Sequence, residues 1–207
     1  MYMMICSGKS TFLNVLAERL GGQRAVYEMN TDLQKTKSPA SVSDVAFIHQ
    51  DDQFFSMLTV EETLKLAAAL RLQSTPKHTE NVASLVDDVM QALSLKHVAK
   101  SFVGDPTKRG ISGGERKRLA VASELLGNPS LLLADEPTSG LDAFQAYGIM
   151  SYLSSLAKQK KMSVVCAIHQ PRSSIWGLFD DILLLASGRL IYMGPREEVI
   201  PYFAKLG

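Results

Sequence analysis

The chain has 207 residues, of which 46% are hydrophobic and 21% are charged, and its formal net charge at pH 7 is +1. This length and this apolar fraction fit one globular domain with a full core, and they exclude a disordered tail. The small net charge gives no overall field that would attract a polyanion, so we expect no nucleic-acid partner.

The cysteines and the hydropathy pattern bear on the compartment. The two cysteines, Cys6 and Cys166, are too few for a disulfide framework and lack metal-ligand spacing, which fits a reducing cytosolic compartment. No stretch approaches the roughly 18 uninterrupted apolar residues of a membrane helix. The N-terminus has no basic region followed by an apolar core. We therefore expect neither a membrane span nor a signal peptide in this sequence.

The first motif is a partial phosphate-binding loop at residues 6–11, CSGKST. It matches the second half of the pattern G-x-x-x-x-G-K-[ST], in which backbone N–H groups cradle phosphates and the lysine reaches the β- and γ-oxygens. Met3 stands where the pattern has its first glycine. An apolar helical pattern follows at residues 12–20, so we expect Lys9 to hold phosphate and Ser10 to hold magnesium. The predicted cofactor-binding residues of this loop are Ser7, Gly8, Lys9, Ser10 and Thr11.

The next part of the chain predicts two short strands. Residues 21–43 are irregular, apart from a possible strand at residues 25–29. Residues 45–49 are a short apolar run that predicts a second strand, and Gln50 follows its end. A glutamine after a strand is ordinarily a loop residue, so the residues alone assign it no role.

Two helices are predicted before residue 110. Thr59 and Glu62 have the spacing of a capping box and predict the start of a helix that runs to about Leu72. A second helix is predicted by apolar residues at the spacing i, i+3, i+4 and i+7 between Val82 and Leu93. We interpret this interval as a helical lobe whose apolar stripe packs in the core.

The stretch at residues 110–142 is the most informative part of the chain. Ser112 followed by Glu115 is a capping box, which predicts the start of another helix. Gly113 and Gly114 leave this helix start bare, and the N–H groups of a bare helix start can bind an anion such as a phosphate. This turn is therefore a candidate phosphate site.

A basic run at residues 116–118 lies inside the same predicted helix. Its charge is typical of a solvated helix face. A nuclear-localisation signal is the alternative, because short basic runs are weak motifs.

Two adjacent acids follow a predicted buried strand. Residues 131–134 are all apolar, which predicts a strand covered on both faces of a parallel sheet. Asp135 and Glu136 come directly after it. Because ligands bind at the carboxyl ends of strands in open α/β sheets, these acids indicate a magnesium site with a general base beside it. The alternative is a solvated strand end with a turn at Pro137.

The remaining elements complete an alternating α/β pattern. Asp142 is predicted to cap a helix over residues 143–158. Residues 163–168 predict another buried strand, and His169 follows it. A lone histidine at a strand end is more often structural than functional. The last predicted elements are a hairpin of residues 182–186 and 190–193 and a closing helix at residues 196–203.

The run at residues 110–142 resembles the signature, Walker B and D-loop of an ABC-transporter nucleotide-binding domain, with ISGGE, LLLADE and SGLD as the matching segments. The continuation GERKRLA and the HQPR at residues 169–172 look most like the G subfamily of half-transporters, the eye-pigment, sterol and drug-resistance group. The resemblance covers nearly the whole chain. It implies an α/β fold, a P-loop NTPase with a RecA-like parallel-sheet core and an inserted ABC-type helical subdomain. The implied core is residues 1–55 and 128–207, and the implied subdomain is residues 56–127.

The resemblance also implies roles for single residues, with ATP and Mg²⁺ as cofactors. Glu136 would polarise the attacking water, His169 would contact the γ-phosphate, and Gln50 would touch the metal and the water. Asp135 would order magnesium through its waters. The implied metal-binding residues are Ser10, Gln50 and Asp135. The implied nucleotide-binding residues of the later motifs are Ser112, Gly113, Gly114, Glu115, Ser139 and Asp142.

The resemblance implies an ATPase module that powers a membrane transporter as a head-to-tail dimer. Because the chain has one signature and one phosphate loop, Ser112 and Gly114 would serve ATP held by a second nucleotide-binding domain, identical or related. The D-loop at residues 139–142 would bridge the two domains. We expect a location at the cytosolic face of a membrane, through a transmembrane domain absent from this chain.

Two other functions stay open at this point. Met3 favours a non-catalytic nucleotide-binding half or scaffold with a degenerate phosphate loop. A soluble ABC ATPase that acts on ribosomes or DNA is the other alternative, although such proteins usually carry two modules or long coiled coils.

The start of the chain predicts a structural defect. Only Met1 and Tyr2 precede Met3 to form the strand that feeds the phosphate loop, so we interpret that strand, and the antiparallel strands before it, as largely missing. We expect unpaired backbone groups along one edge of the strand at residues 163–168, and hence a marginally folded domain that binds ATP weakly. The chain is interpreted as truncated at both ends.

Overall fold

A computed structural model describes residues 1–5, 8–17, 45–51, 53–72, 82–105 and 107–206 of the chain. Ser7 of the phosphate loop and the possible strand at residues 25–29 lie outside these residues.

Strands and helices alternate along most of the described chain. The strands are β1 (Tyr2–Ile5), β2 (Val45–Ile48), β3 (Leu131–Asp135), β4 (Ser163–Ala167), β5 (Asp181–Ala186) and β6 (Arg189–Pro195). The helices are α1 (Lys9–Leu16), α2 (Val60–Leu72), α3 (Val82–Ala92), α4 (Gly113–Leu125), α5 (Ala143–Lys160), α6 (Ser173–Trp176) and α7 (Val199–Ala204), and short 3-10 turns occur at Lys96–Val98 and Arg196–Glu198.

The six strands form one mixed sheet in the order β2-β3-β4-β1-β5-β6. The first five strands in this order are mutually parallel, and only β6 runs antiparallel to its neighbour β5. The α/β fold class with a mostly parallel sheet is therefore confirmed.

Helices cover both faces of the sheet, as the all-apolar run at residues 131–134 predicts. Successive side chains of a strand point to opposite faces. Leu133 packs with Leu13 of α1 on one face. Leu132 packs on the other face in the main core, which includes Leu119 of α4 and Leu153 of α5. All five side chains are fully buried, so the central strands are stabilised by apolar burial on both sides.

The strand that feeds the phosphate loop is present. β1 pairs on one side with β4, from Val165 to Ala167, and on the other side with β5. Met3 and Met4 are fully buried between these neighbours, and the N-terminal ammonium of Met1 lies 2.5 Å from the Asp180 carboxylate. The prediction of an unpaired edge on the strand at residues 163–168 is therefore wrong, and so is the prediction that the loop's strand is largely missing.

The physical reason lies in the missing glycine of the motif. Without a glycine at Met3, residues 3–5 need not turn and can continue the strand, which requires only backbone pairing and apolar side chains. The hydrogen-bond deficit on which marginal folding was predicted is thus not present between β1 and β4. The low stability of the domain and its weak binding of ATP stay predictions.

The predicted capping box at the start of α2 is formed. The Thr59 N–H donates to the Glu62 carboxylate at 2.8 Å, and the Glu62 N–H donates to the Thr59 hydroxyl at 3.2 Å.

Helices α2, α3 and α4 pack on one another. Val86, Met90 and Leu93 are buried on the inner face of α3 and its end, which confirms the predicted apolar stripe.

Candidate functional site

Four neighbouring parallel strands end at the same edge of the sheet, and the three predicted catalytic residues follow three of these strand ends. Gln50 follows β2, Asp135 ends β3, Glu136 comes next, and His169 follows β4. The strand ends are in register, because Ala167 at the end of β4 pairs with Asp135 on one side and with β1 on the other. We call Gln50, Asp135, Glu136, His169 and the phosphate loop at residues 8–11 the sheet-edge site.

The described part of the phosphate loop, residues 8–11, forms the start of α1. Gly8 caps the helix with φ 91°, in the left-handed region that a residue with a side chain rarely adopts. Lys9, Ser10 and Thr11 form the first turn of α1, which contains no acidic residue, and Ser10 and Thr11 are exposed. The first N–H groups of a helix have no partner within it and favour an anion, so this start can receive phosphate oxygens.

Asp135 carries a buried carboxylate oxygen that suits a cation. The residue is 7% exposed, and its Oδ1 is fully buried with no hydrogen-bond partner in the part of the chain that the structure describes. A buried carboxylate oxygen without a hydrogen-bond partner is costly, and a bound cation would offset that cost. Magnesium in nucleotide sites typically takes one or two carboxylates together with phosphate oxygens, so Asp135 fits this metal. Among the described residues, no cluster of three or more His, Cys, Asp or Glu side chains forms a metal site.

Glu136 is held in an unusual backbone conformation and touches Gln50. Its φ is 48°, which is uncommon for a residue with a side chain and typical of strained functional positions. The Glu136 N–H donates to the carbonyl oxygen of Ala167 at 2.9 Å, which fixes the turn to the end of β4. The Gln50 side-chain amide donates to the Glu136 carboxylate at 3.2 Å. Two predicted catalytic residues are thus in direct contact.

A cavity of about 560 Å³ opens beside this pair. Gln50 and Asp135 line it together with Phe54, Ser123 and Glu124. The cavity therefore lies between the end of β2, the end of β3 and helix α4. The cavity is lined by both polar and apolar residues and borders Asp135.

His169 is exposed at the next strand end. The Ile168 N–H before it donates to the Met4 carbonyl oxygen at 3.0 Å, so the turn is tied to the strand that feeds the phosphate loop. Among the described residues His169 makes no hydrogen bond with Gln50 or Glu136. The structure thus places it on the same edge without joining it to that pair.

The helix start at residues 112–115, here called the signature turn, is a capping box as predicted. The Ser112 N–H donates to the Glu115 carboxylate at 2.7 Å, and the Glu115 N–H donates to the Ser112 hydroxyl at 3.3 Å. Ser112 and Gly113 are exposed. Gly114 is buried, and an added Cβ there would lie 2.2 Å from the Gln145 side-chain oxygen of α5.

The carboxylate of the signature turn is also paired with a histidine. The Nε2 of His97 lies 2.9 Å from Glu115. Partial burial opposes ionisation of Glu115, but hydrogen bonds from the backbone and hydroxyl of Ser112 and from His97 outweigh burial and lower the pKa of Glu115. The cap is therefore ionised, and fully formed, at neutral pH.

The predicted D-loop connects the sheet-edge site to α5. The Ser139 N–H donates to the Glu136 carbonyl oxygen at 3.0 Å, and the Asp142 carboxylate accepts from the Gln145 N–H at 2.8 Å as the cap of α5. Both Ser139 and Asp142 are exposed. Gln145 packs against Gly114, so the D-loop and the signature turn meet through α5.

The basic run at residues 116–118 is not the solvated helix face that the sequence predicts. Lys117 is 4% exposed, and its ammonium donates to the carbonyl oxygens of His49 at 2.6 Å and Gln50 at 3.1 Å. Arg116 donates to two carbonyl oxygens, those of Val103 and Gly104. The reason is that α4 packs against β2 and the 103–104 loop, whose carbonyls take the place of water.

One signal in the sequence could have revealed Lys117. Gly114, Lys117, Val121 and Leu125 are spaced by three and then four residues, so they lie along one stripe of α4. The other three members of the stripe are buried. A basic residue on an otherwise apolar stripe is expected to reach buried acceptors.

These observations define a class of protein. A strand, a phosphate loop and a helix, together with paired acids at the end of a parallel strand two positions along the same sheet, are the parts of an α/β nucleotide-binding domain. Residues 6–139 match the family model described as ABC transporter. Since this match spans more than half of the chain, the chain belongs to the ABC transporter family, and the recognition of an ABC nucleotide-binding domain is confirmed.

The most similar curated proteins include G-family transporters. The chain is 46% identical over 203 residues to "ABC transporter G family member 7" of Arabidopsis thaliana, with 97% of this chain and 28% of that protein covered. It is 42% identical to "Broad substrate specificity ATP-binding cassette transporter ABCG2" of Sus scrofa, with 97% and 30% covered. It is 39% identical to "ATP-binding cassette sub-family G member 8" of Rattus norvegicus, with 97% and 29% covered.

The chain thus spans less than a third of the length of these relatives. No helix in the described ranges combines the length and the apolar character needed to cross a membrane.

Proposed function

We propose that this chain binds and hydrolyses ATP and thereby powers a membrane transporter related to the G-family half-transporters. The observation that carries the proposal is the sheet-edge site, where four adjacent strand ends bring a phosphate loop, an orphaned carboxylate and a contacting Gln50–Glu136 pair together. Family membership supports nucleotide binding. The finer roles of the residues are part of the proposal.

Nucleotide binding begins at the phosphate loop. The N–H groups at the start of α1 and the Lys9 ammonium hold the phosphate oxygens, and Gly8 allows the left-handed backbone turn before the helix. Ser7 and Thr11 complete the loop in this proposal. Ser10, Gln50 and Asp135 would hold Mg²⁺, which when bound neutralises charge that develops on the transferred phosphoryl group.

Hydrolysis needs an oriented water and a proton acceptor. Glu136 polarises the attacking water, and its carboxylate is held by the Gln50 amide. Gln50 also orients the water, since its exposed side chain borders the cavity next to Asp135. His169 contacts the γ-phosphate from the next strand end. Phosphoryl transfer depends mainly on positioning and charge stabilisation, and these residues supply both.

The signature turn and the D-loop serve a second nucleotide-binding domain. Ser112 and Gly113 are exposed at a capped helix start, which suits the phosphate of a nucleotide held by another copy. Gly114, Glu115, Ser139 and Asp142 support this contact, so two domains pair head to tail. We further propose that residues 56–127 form a subdomain inserted into a core of residues 1–55 and 128–207, and that the assembly acts at the cytosolic face of a membrane.

A second candidate function is a nucleotide-binding half that does not hydrolyse ATP. It is favoured by Met3, which is fully buried in β1 where the phosphate-loop pattern has its first glycine. Such a half would bind ATP through the remaining loop and contribute its signature turn to an active partner.

Steady-state ATP turnover and ATP binding by the full-length protein test the proposal, with Lys9→Ala as the matched variant. We expect Mg²⁺-dependent turnover in the wild type and loss of ATP binding in Lys9→Ala. Binding without turnover would favour the second candidate function. Absence of ATP binding by the wild type would contradict both.

A further inference from the structure

Lys117 of α4 buries its ammonium against the backbone at the end of β2. Only 4% of the residue is exposed, and its ammonium donates to the carbonyl oxygens of His49 and Gln50 at 2.6 and 3.1 Å. These two residues follow Ile48, the last residue of β2, so Lys117 contacts the backbone just beyond the end of the strand. Bonds from an ionised donor are roughly twice as strong as neutral ones, which makes this a firm attachment.

The same helix holds β2 at a second point. Glu124 lies seven residues, or about two helical turns, after Lys117 and therefore faces the same way. Its carboxylate accepts from the Phe47 N–H at 3.2 Å, and it also pairs with Arg71 of α2. β2 lies at the edge of the described sheet, so Glu124 of α4 can reach its backbone at Phe47. Two charged side chains of α4, Lys117 and Glu124, thus attach residues 47–50 to this helix.

This attachment fixes one end of a residue of the sheet-edge site. The backbone of Gln50 is held by Lys117, while its side chain donates to the Glu136 carboxylate at 3.2 Å. The position of the Gln50 amide relative to Glu136 therefore depends on where α4 lies. The helix begins at the signature turn, five residues before Lys117.

We propose that Lys117 is a positioning residue that holds Gln50 against Glu136 and so links the signature turn to the hydrolysis step. The inference rests on the proposed function, since it concerns the same site. When a partner's nucleotide contacts Ser112, the position of α4 shifts or becomes fixed. The Lys117 ammonium transmits this change of position to the backbone of Gln50. Lys117 itself touches neither nucleotide nor water.

The test is a double-mutant cycle in the full-length protein with Lys117→Met and Gln50→Ala. Met has nearly the length and volume of Lys but donates no hydrogen bond, so we expect kcat for ATP to fall about 10- to 100-fold, as misplaced catalytic groups typically cause. The KM for ATP should change less than about 3-fold, because the phosphate loop is untouched. In a Gln50→Ala background, Lys117→Met should lower kcat by less than about 3-fold more, since coupled residues are not additive.

Two further variants separate positioning from general structural damage. Lys65→Met is the matched control, because Lys65 is half-exposed on α2 and pairs only with the surface residue Glu61 in the described structure; its kcat should equal that of the wild type. Lys117→Gln replaces Lys117→Met if the latter does not fold. Its side chain is shorter and can reach at most one carbonyl oxygen, so an intermediate loss of kcat is expected.

Three results would overturn the proposal. These are an unchanged kcat in Lys117→Met or in a folded Lys117→Gln, equal losses of kcat with and without the Gln50 amide, or a loss that appears chiefly in KM. Absence of turnover in the wild type would instead contradict the proposed function, and this inference with it.

Discussion

The signature turn and the sheet-edge site are built in different ways. In the signature turn, Ser112 and Glu115 are three residues apart, and each accepts a hydrogen bond from the backbone N–H of the other. The structure is therefore local and has the usual pattern of a capping box. In the sheet-edge site, Gln50 and Glu136 meet across 86 residues and only because their strands are in register. The first region needs its own four residues, whereas the second needs the whole sheet.

This difference predicts where single substitutions act. Changes in the signature turn should leave ATP binding at the chain's own phosphate loop intact and should weaken the contact with the partner domain. Changes in the sheet-edge site should affect the chemistry of its own nucleotide. The following variants test this division.

The largest effect is expected for Glu136→Gln. The amide keeps the shape of the carboxylate but cannot accept a proton, so hydrolysis should fall by roughly 10²- to 10⁴-fold while ATP still binds. Turnover and nucleotide binding of the full-length protein measure the two effects separately. Glu197→Gln is the control, because Glu197 is 84% exposed at the surface. Unchanged turnover in Glu136→Gln would remove this residue from the mechanism.

Ser112→Arg should act on the other region. The substitution places bulk and positive charge at the exposed helix start, so ATP-driven dimerisation should weaken by at least about tenfold, or 1.4 kcal/mol, while ATP binding to the chain's own loop persists. Sedimentation of a hydrolysis-deficient protein with and without ATP measures this. Ser112→Thr keeps the capping hydroxyl and should dimerise normally. Wild-type dimerisation of Ser112→Arg would show that the turn faces no partner.

One substitution made in both regions sharpens the comparison. Gly8→Ala puts a side chain on a residue with φ 91° and should lower the free energy of unfolding by about 1 to 2 kcal/mol. Gly113→Ala places the same methyl group in the first turn of α4, where no described atom outside the adjoining helix backbone lies within 4 Å, and should be neutral or stabilising by up to about 1 kcal/mol. Urea unfolding without nucleotide measures both. Equal costs would contradict the assignment of strain to the phosphate loop.

The smallest effect is expected from the pH dependence of the signature turn. Its hydrogen bonds lower the pKa of Glu115 in the folded state, so they stabilise the fold above the ordinary glutamate pKa of 4.5 and are lost as the pH falls below it. Glu115→Gln should therefore cost less than about 1 kcal/mol at pH 7, and the difference from the wild type should shrink in acid. A difference that grows in acid would contradict the cap.

Local features of the fold were predictable from the sequence, and the reason is their short range. The capping boxes at Thr59 and Ser112, the cap at Asp142 and the buried strand before Asp135 each depend on a few consecutive residues. The structure confirms all four. The paired acids could also be placed at a strand end, because a strand and its last residue are adjacent in the chain.

Features that depend on distant partners were missed or misjudged. The buried position of Lys117 follows from packing of α4 on β2, and nothing next to the residue in the chain indicates it except a stripe spacing. The strand β1 was predicted to be largely missing, because the phosphate-loop motif lacks its first glycine and few residues precede it. The backbone of β1 nevertheless pairs with β4 and β5. The left-handed backbone of Glu136 was not predicted either, since it is fixed by a hydrogen bond to Ala167.

The contacts of Lys117 and Glu124 with residues 47–50 also limit how the length of α4 can vary. Each residue of a helix turns the chain by about 100°, so one inserted or deleted residue between Lys117 and Glu124 would point one of the two side chains away from residues 47–50. An insertion of seven residues would restore the direction but move the contact by about 10 Å. Related sequences that keep both contacts should therefore show no insertions or deletions in this segment, even where the identity of its exposed residues changes freely.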